Sequence, residues 1–183
     1  MELSRDTFLS RYDENKKYDW VYYHYPERWS EVSLGNMASS KNESHWSDFI
    51  KYLDDDHSIS QSIRNIPNDS GGIYVFFVQG PTIPFLERHV AYIGRAKKTR
   101  TQNLRKRVME YLPESEKKNS RHKIYRLFRY WKDYFYIRSL TCSDNDTIDN
   151  LEKLLIHAIF PPFNDKIVEK IGYRQKISKR TEQ

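Results

Sequence analysis

Two β-forming runs, separated by a proline-bearing connection, constrain this chain most. "GGIYVFFVQG" (71–80) is almost continuously apolar, and "RHVAYIG" (88–94) follows it. Both are rich in β-branched and aromatic residues, which pack well on a pleated surface. Pro81 and Pro84 lie between them, where neither strand nor helix tolerates proline easily. Neighbouring runs with so short a connection pair most simply as antiparallel strands. Each run also sets a tyrosine beside Ile and Gly: Gly72-Ile73-Tyr74 in the first, Tyr92-Ile93-Gly94 in the second. The residues alone leave two readings open, tyrosines packed in a core or tyrosines turned toward a substrate.

Downstream, "QNLRKRVMEYL" predicts a helix with Leu104, Val108 and Leu112 on one face, ended by Pro113. "RHKIYRLFRYW" reads as another helix and "DYFYIRSL" as a strand. "NDTIDNLEKLLIHAIF" is the clearest helix: Asp146 or Thr147 can cap it. Ile148, Leu151, Leu155, Ala158 and Ile159 form its buried stripe, and Pro161 and Pro162 stop it. Upstream, "YDWVYYHYPERWSEVS" reads as irregular and 36–42 as a loop. "SHWSDFIKYLDDD" reads as a short helix capped by Ser44. "IPNDSGG" is a turn cluster and a boundary. The expected class is α+β, a small antiparallel sheet flanked by helices. The division is an acidic, aromatic N-terminal extension (1–65), a central domain (66–167) and a basic tail (168–183).

At 183 residues the chain can bury one sizeable core. Its 15% aromatic content argues for a folded domain, because disordered chains lack aromatics. No apolar run approaches a membrane span, and the N-terminus has no signal-peptide pattern. The lone Cys142 excludes an intramolecular disulfide and a Cys-rich zinc site. A reducing, cytoplasmic setting without membrane attachment is expected. Residues 95–138 hold 15 Lys and Arg against 4 Asp and Glu, an excess of +11 out of a chain total of +6. That concentration suggests a polyanionic partner, or else a solvated surface.

Familiar hydrolase signatures, including G-x-S-x-G, H-E-x-x-H and the Walker A loop, are absent. Arg107 lies near the buried side of its predicted helix, with Tyr111 four residues on. It either grips an anion or snorkels to water. Glu152 borders the apolar stripe of the last helix, as a ligand for a hard cation or as half of an ion pair.

Taken together, "GGIYVFF", "AYIGRAKKTRTQNLRKRVMEYL" and "LEKLLIHAIFPPFND" resemble the GIY-YIG nuclease superfamily over roughly residues 66 to 167. With no Cys-rich finger or second nuclease domain following, the likeness is to stand-alone, restriction-endonuclease-like members. The resemblance implies a metal-dependent endonuclease that hydrolyses DNA, double-stranded by expectation. It implies Tyr74 as general base or as the residue that positions the attacking water, Tyr92 assisting it, and Tyr111 where some members carry His. Arg107 would bind the scissile phosphate, Glu152 would hold Mg2+ (Mn2+ as the alternative), and Asn164 would shape the site. A nearby metal and cations such as Arg107 and Lys97 would favour the Tyr74 phenolate, and Gly72 and Gly94 would keep the approach to the backbone clear. Arg95, Lys97, Lys98, Arg100, Arg105, Lys106, Arg121 and Lys123 would contact nucleic acid. Two departures stand out, a long connection between the tripeptides and an insertion at "KTRTQ", and they make Arg105 a rival of Arg107. A homodimer, with the N-terminal segment supplying contacts or target reading, fits an enzyme that must cut two strands. Restriction or another form of defence is the expected setting. The alternatives are a non-catalytic nucleic-acid-binding module on the same fold, and an interaction domain working through the acidic segment.

Overall fold

A computed structural model describes residues 42–80, 88–117 and 121–164. The irregular N-terminal tract, nearly all of the 36–42 loop, the proline-bearing connection and the basic tail lie outside these residues.

The two tripeptides fall on adjacent antiparallel strands, β2 (Gly71–Gln79) and β3 (Arg88–Ala96). Tyr74 stands opposite Gly94 and Phe76 opposite Tyr92, with a register shift after Phe76. Strand β4 (Phe135–Cys142) pairs antiparallel with the other side of β2. The two-residue β1 (Ile50–Lys51) completes a sheet of order β1-β4-β2-β3. Strand β2 is thus central. Its Tyr74, Phe76 and Val78 point one way and its Ile73 and Val75 the other, and all are buried. This is why it reads as a continuous apolar run rather than an alternating one.

Three helices cover the first face: α1 (Leu104–Met109), α2 (Tyr111–Ser115) and α3 (His122–Trp131). Leu104, Val108, Tyr111, Ile124, Leu127 and Phe128 pack there around Phe76. The Phe76 ring meets Tyr111 edge-on at 5.3 Å, and Tyr111 stacks on Phe128. Helix α4 (Asn145–Ile159) covers the second face, setting Ile148, Leu151, Leu155, Ile156 and Ala158 against Ile73, Val75, Ile93 and Leu140. The fold is α+β, as expected, and no described helix is long and apolar enough to cross a membrane.

Three local expectations are corrected. The helix expected over 44–56 is instead a single 3-10 turn (Glu43–His45), capped by Asn42 rather than Ser44, followed by β1. The outer edge of β4 carries backbone groups that require partners. Ser47 N–H donates to the Ser139 carbonyl at 2.8 Å, and Ser139 N–H donates to Ser47 Oγ at 2.9 Å. That pairing outweighs a helical periodicity of four apolar residues. Tyr52, Leu53, Ile63 and Ile66 enter the same core, so residues N-terminal to 66 help to build it. The second correction concerns Pro113, which does not end the helix of 102–112. The helix breaks at Glu110, and Pro113 sits in the first turn of α2, where its missing N–H has no intrahelical partner to lose.

The third correction moves the cap of α4 to Asp144, whose carboxylate accepts the Thr147 N–H at 2.6 Å. Asp144→Ala is expected to lower the melting temperature by a few degrees. Thermal melting of the two proteins measures it, and an unchanged melting temperature would rule the cap out as a contributor.

Candidate active site

Side-chain alternation puts Tyr74 and Tyr92 on the face covered by α1 and α2. Tyr111, the first residue of α2, drops between them. Tyr111 Oη lies 2.6 Å from Tyr74 Oη and donates to Tyr92 Oη at 3.1 Å. A phenol has one proton, so Tyr74 is the donor to Tyr111. The three hydroxyls therefore form a directed chain, Tyr74 to Tyr111 to Tyr92. Tyr74 is 1% exposed and Tyr92 8%, which makes Tyr92 the outer end.

Gly94 permits this chain. The Tyr74 ring lies across it, and a Cβ at Gly94 would stand 2.5 Å from Tyr74 Cζ. At Gly72 a Cβ would collide with the Leu140 carbonyl oxygen. Both glycines make room for neighbouring parts of the protein itself, where the sequence suggested an approach route for substrate.

For Tyr74 the structure adds a depth that the sequence did not show. Burial pushes its hydroxyl well above the ordinary value of 10.0, Tyr111 and Tyr92 add to this, and Arg107 opposes it only in part. Burial raises Tyr92 and Tyr52 as well. Lys97 is engaged by Asp149 at 2.7 Å, on the helix that covers the opposite face. The free protein therefore keeps these phenols protonated. In the unfolded chain they ionise near pH 10, so that state binds fewer protons above this pH. Stability is accordingly complete below pH 10 and falls as pH rises beyond it. Urea unfolding followed between pH 8 and 11 is expected to show a flat region and then a decline; a constant value to pH 11 would contradict it.

Two guanidiniums border the hydroxyls. Arg107 lies 4.9 Å from the centroid of the Tyr111 ring and faces the Tyr74 hydroxyl. Arg105, its rival in sequence, donates from Nε to the Ile66 carbonyl at 2.6 Å and serves the fold. Arg121 lies 5.6 Å from the same ring and faces the Tyr111 and Tyr92 hydroxyls. The sequence placed Arg121 only among general nucleic-acid contacts. Glu110 and Glu114, overlooked in sequence, pair with Arg107, and Glu114 also with Arg121. Their spacing of three and seven residues from Arg107 was the available signal.

Glu152 stands elsewhere. It belongs to α4, on the second face, and its carboxylate is 3.1 Å from Arg95 Nε. Arg95 also bonds Asp149 at 2.6 Å, and Lys97 beside it holds Asp149 below the usual carboxylate range. Among the described residues no cluster of three or more His, Cys, Asp or Glu is placed to hold a metal. A single half-buried carboxylate, 19% exposed, nevertheless suits Mg2+, which takes one or two carboxylates and completes its shell with water and substrate phosphate.

The two faces meet at the outer edge of β3. There the Asn164 side chain accepts from Ile93 N–H at 2.9 Å and donates to the Ile93 carbonyl at 2.7 Å. Lys123 Nζ donates to the Asn164 carbonyl, and Lys106 Nζ to that of Thr101, both as structural ties. Lys98 and Arg100 are exposed. Tyr74, Tyr92, Arg107 and Tyr111 are thus brought together, while Asn164 stands at the edge and Glu152 behind it.

The chain is similar to GIY-YIG endonuclease domains. A point mutant of the GIY-YIG N-terminal endonuclease domain of UvrC from Thermotoga maritima, bound to its catalytic divalent cation, aligns at 18% identity. The TM-score is 0.38, covering 59% of this chain and 100% of that one. A second mutant of the same domain aligns at 19% identity with TM-score 0.38. No family model and no curated protein matches. Within the GIY-YIG pair of this chain, both tyrosines lie on one face and both isoleucines, Ile73 and Ile93, in the second core.

Proposed function

We propose that the protein is a divalent-metal-dependent endonuclease that hydrolyses phosphodiester bonds of DNA. One observation carries this reading: three tyrosine hydroxyls, joined at 2.6 and 3.1 Å, converge beside two guanidiniums. Phenols beside fixed cations offer the two things phosphodiester hydrolysis needs, an oxygen that can take a proton from water where a cation supports its phenolate, and positive charge for the phosphate.

Tyr92 is assigned as the base in preference to Tyr74. Its oxygen is the outer one of the chain and faces Arg121, which favours the phenolate against the burial that opposes it. Tyr74 supports that charge through Tyr111. Arg107 grips the phosphate and stabilises the charge that grows on it. Glu152 holds the cation, with Arg95 displaced from it. When bound, the cation polarises the phosphate and stabilises the leaving oxygen. Asn164 fixes the β3 edge along which the strand lies, and the surplus of cations over 95–138 supplies non-specific attraction to DNA.

A non-catalytic nucleic-acid-binding module is the second reading. It draws on the ion pair between Glu152 and Arg95 at 3.1 Å, which leaves the proposed metal ligand engaged. Plasmid incubated with Mg2+ or with EDTA separates the two. Cleavage that needs Mg2+ and disappears in Glu152→Gln supports the enzyme. Binding without cleavage, equal in parent and variant, would overturn it in favour of the module.

A further inference from the structure

Glu114 lies between two arginines. Its Oε1 is 3.0 Å from Arg121 Nε, and its Oε2 is 3.7 Å from Arg107 Nη1. One guanidinium comes from α1 and the other from the residue just before α3, and both border the same Tyr111 ring, at 4.9 and 5.6 Å. Proximity to an aromatic ring restrains an arginine's long side chain, and its planar fork recognises carboxylate and phosphate alike through paired oxygens. Glu110 also contacts Arg107, at 3.1 Å, but both its oxygens are held by Gln102 Nε2 at 3.1 Å. Among the described residues the Glu114 carboxylate bonds the two arginines alone. Arg121 is 42% exposed, so an anion from solvent can reach it.

We propose that Arg107 and Arg121 form a two-arginine clamp for one phosphodiester, and that the Glu114 carboxylate fills it until a phosphate takes its place. The nuclease reading is used only in taking that phosphate to belong to DNA. Glu114 is then an internal competitor: it keeps two cations side by side and ready, and it weakens DNA binding by being there. Arg121 becomes a residue of the scissile phosphate rather than of distant backbone.

The test measures binding of a short fluorescein-labelled DNA duplex, in EDTA so that nothing is cut, across a range of salt. Glu114→Gln is expected to bind about tenfold tighter, whereas Glu116→Gln, which removes an exposed charge two residues away, stays within about twofold. Arg121→Ala is expected to bind about tenfold weaker with a salt slope lower by about one, and Arg121→Lys to recover the slope but little of the affinity. In Arg121→Ala the benefit of Glu114→Gln shrinks, because the two share one interaction. Equal effects of Glu114→Gln and Glu116→Gln, or a gain that persists undiminished without Arg121, would overturn the clamp. Phenylglyoxal labelling of the parent protein gives a variant-free check: DNA protects Arg107 and Arg121 if the clamp is right, and leaves Arg121 reactive if it is wrong. A parent that cuts DNA with Mg2+ while Glu114→Gln binds unchanged would refute the clamp and spare the nuclease. A parent that never cuts while the binding pattern holds would do the reverse.

Discussion

Arg107→Ala is expected to slow Mg2+-dependent DNA cleavage by about a hundredfold to a thousandfold, the range for loss of one preorganised charge at a transition state. Arg107 combines two assets that a surface arginine lacks. It is half-buried beside the Tyr111 ring, so its orientation is fixed before substrate arrives, and it faces the Tyr74 hydroxyl at the head of the phenol chain. Its ion pairs with Glu110 and Glu114 are partly exposed, and pairs of that kind contribute about 1 kcal/mol or less. The variant therefore keeps its fold while losing its rate. Timed conversion of supercoiled plasmid, with a melting curve for each protein, separates these effects. A loss below about threefold in a folded variant would remove Arg107 from the chemistry.

Gly94→Ala is expected to be strongly destabilising for a change of one methyl. The added carbon meets a fully buried ring at 2.5 Å, and β3 cannot retreat, because the pairing with β2 on one side and Asn164 on the other fix its position. Overpacking of this severity costs about 3 kcal/mol or more, roughly 10 °C in melting temperature for a domain of this size. Urea unfolding reads it directly. The double change Gly94→Ala with Tyr74→Leu recovers much of the loss, since leucine does not reach across the glycine. A double variant no more stable than Gly94→Ala would show that the clash is not with Tyr74.

Much of the fold was legible because it is locally encoded. Ile73 to Val78 could hardly be anything but a central strand, and the stripe from Ile148 to Ala158 defined α4 before its cap was known. Residues 44–56 misled because their fate is decided by a vacancy in the sheet: the free edge of β4, nearly ninety residues away, captures Ser47 and Ile50. The same limit governs the site. Helical spacing could rank Arg107 near Tyr111, yet only the fold shows Arg105 turning to the Ile66 carbonyl. Arg121 stayed hidden among other basic residues because its partners, Tyr92, Tyr111 and Glu114, sit on two other elements. The protonation of Tyr74 in the free protein was beyond the sequence, which displays its cationic neighbours and conceals its depth, and depth is the larger effect.

The Asn164 amide has a further consequence. With one acceptor and one donor it imitates the peptide group of a missing neighbouring strand, and so closes the sheet at the residue between the second tyrosine and its glycine. The Ile93 amide hydrogen is consequently a native clock. It exchanges with deuterium only when the Asn164 side chain lets go, so any ligand that tugs on Asn164 changes the rate at this one backbone position. Engagement at the β3 edge can then be followed in the unlabelled, unmutated protein, before a single bond is cut.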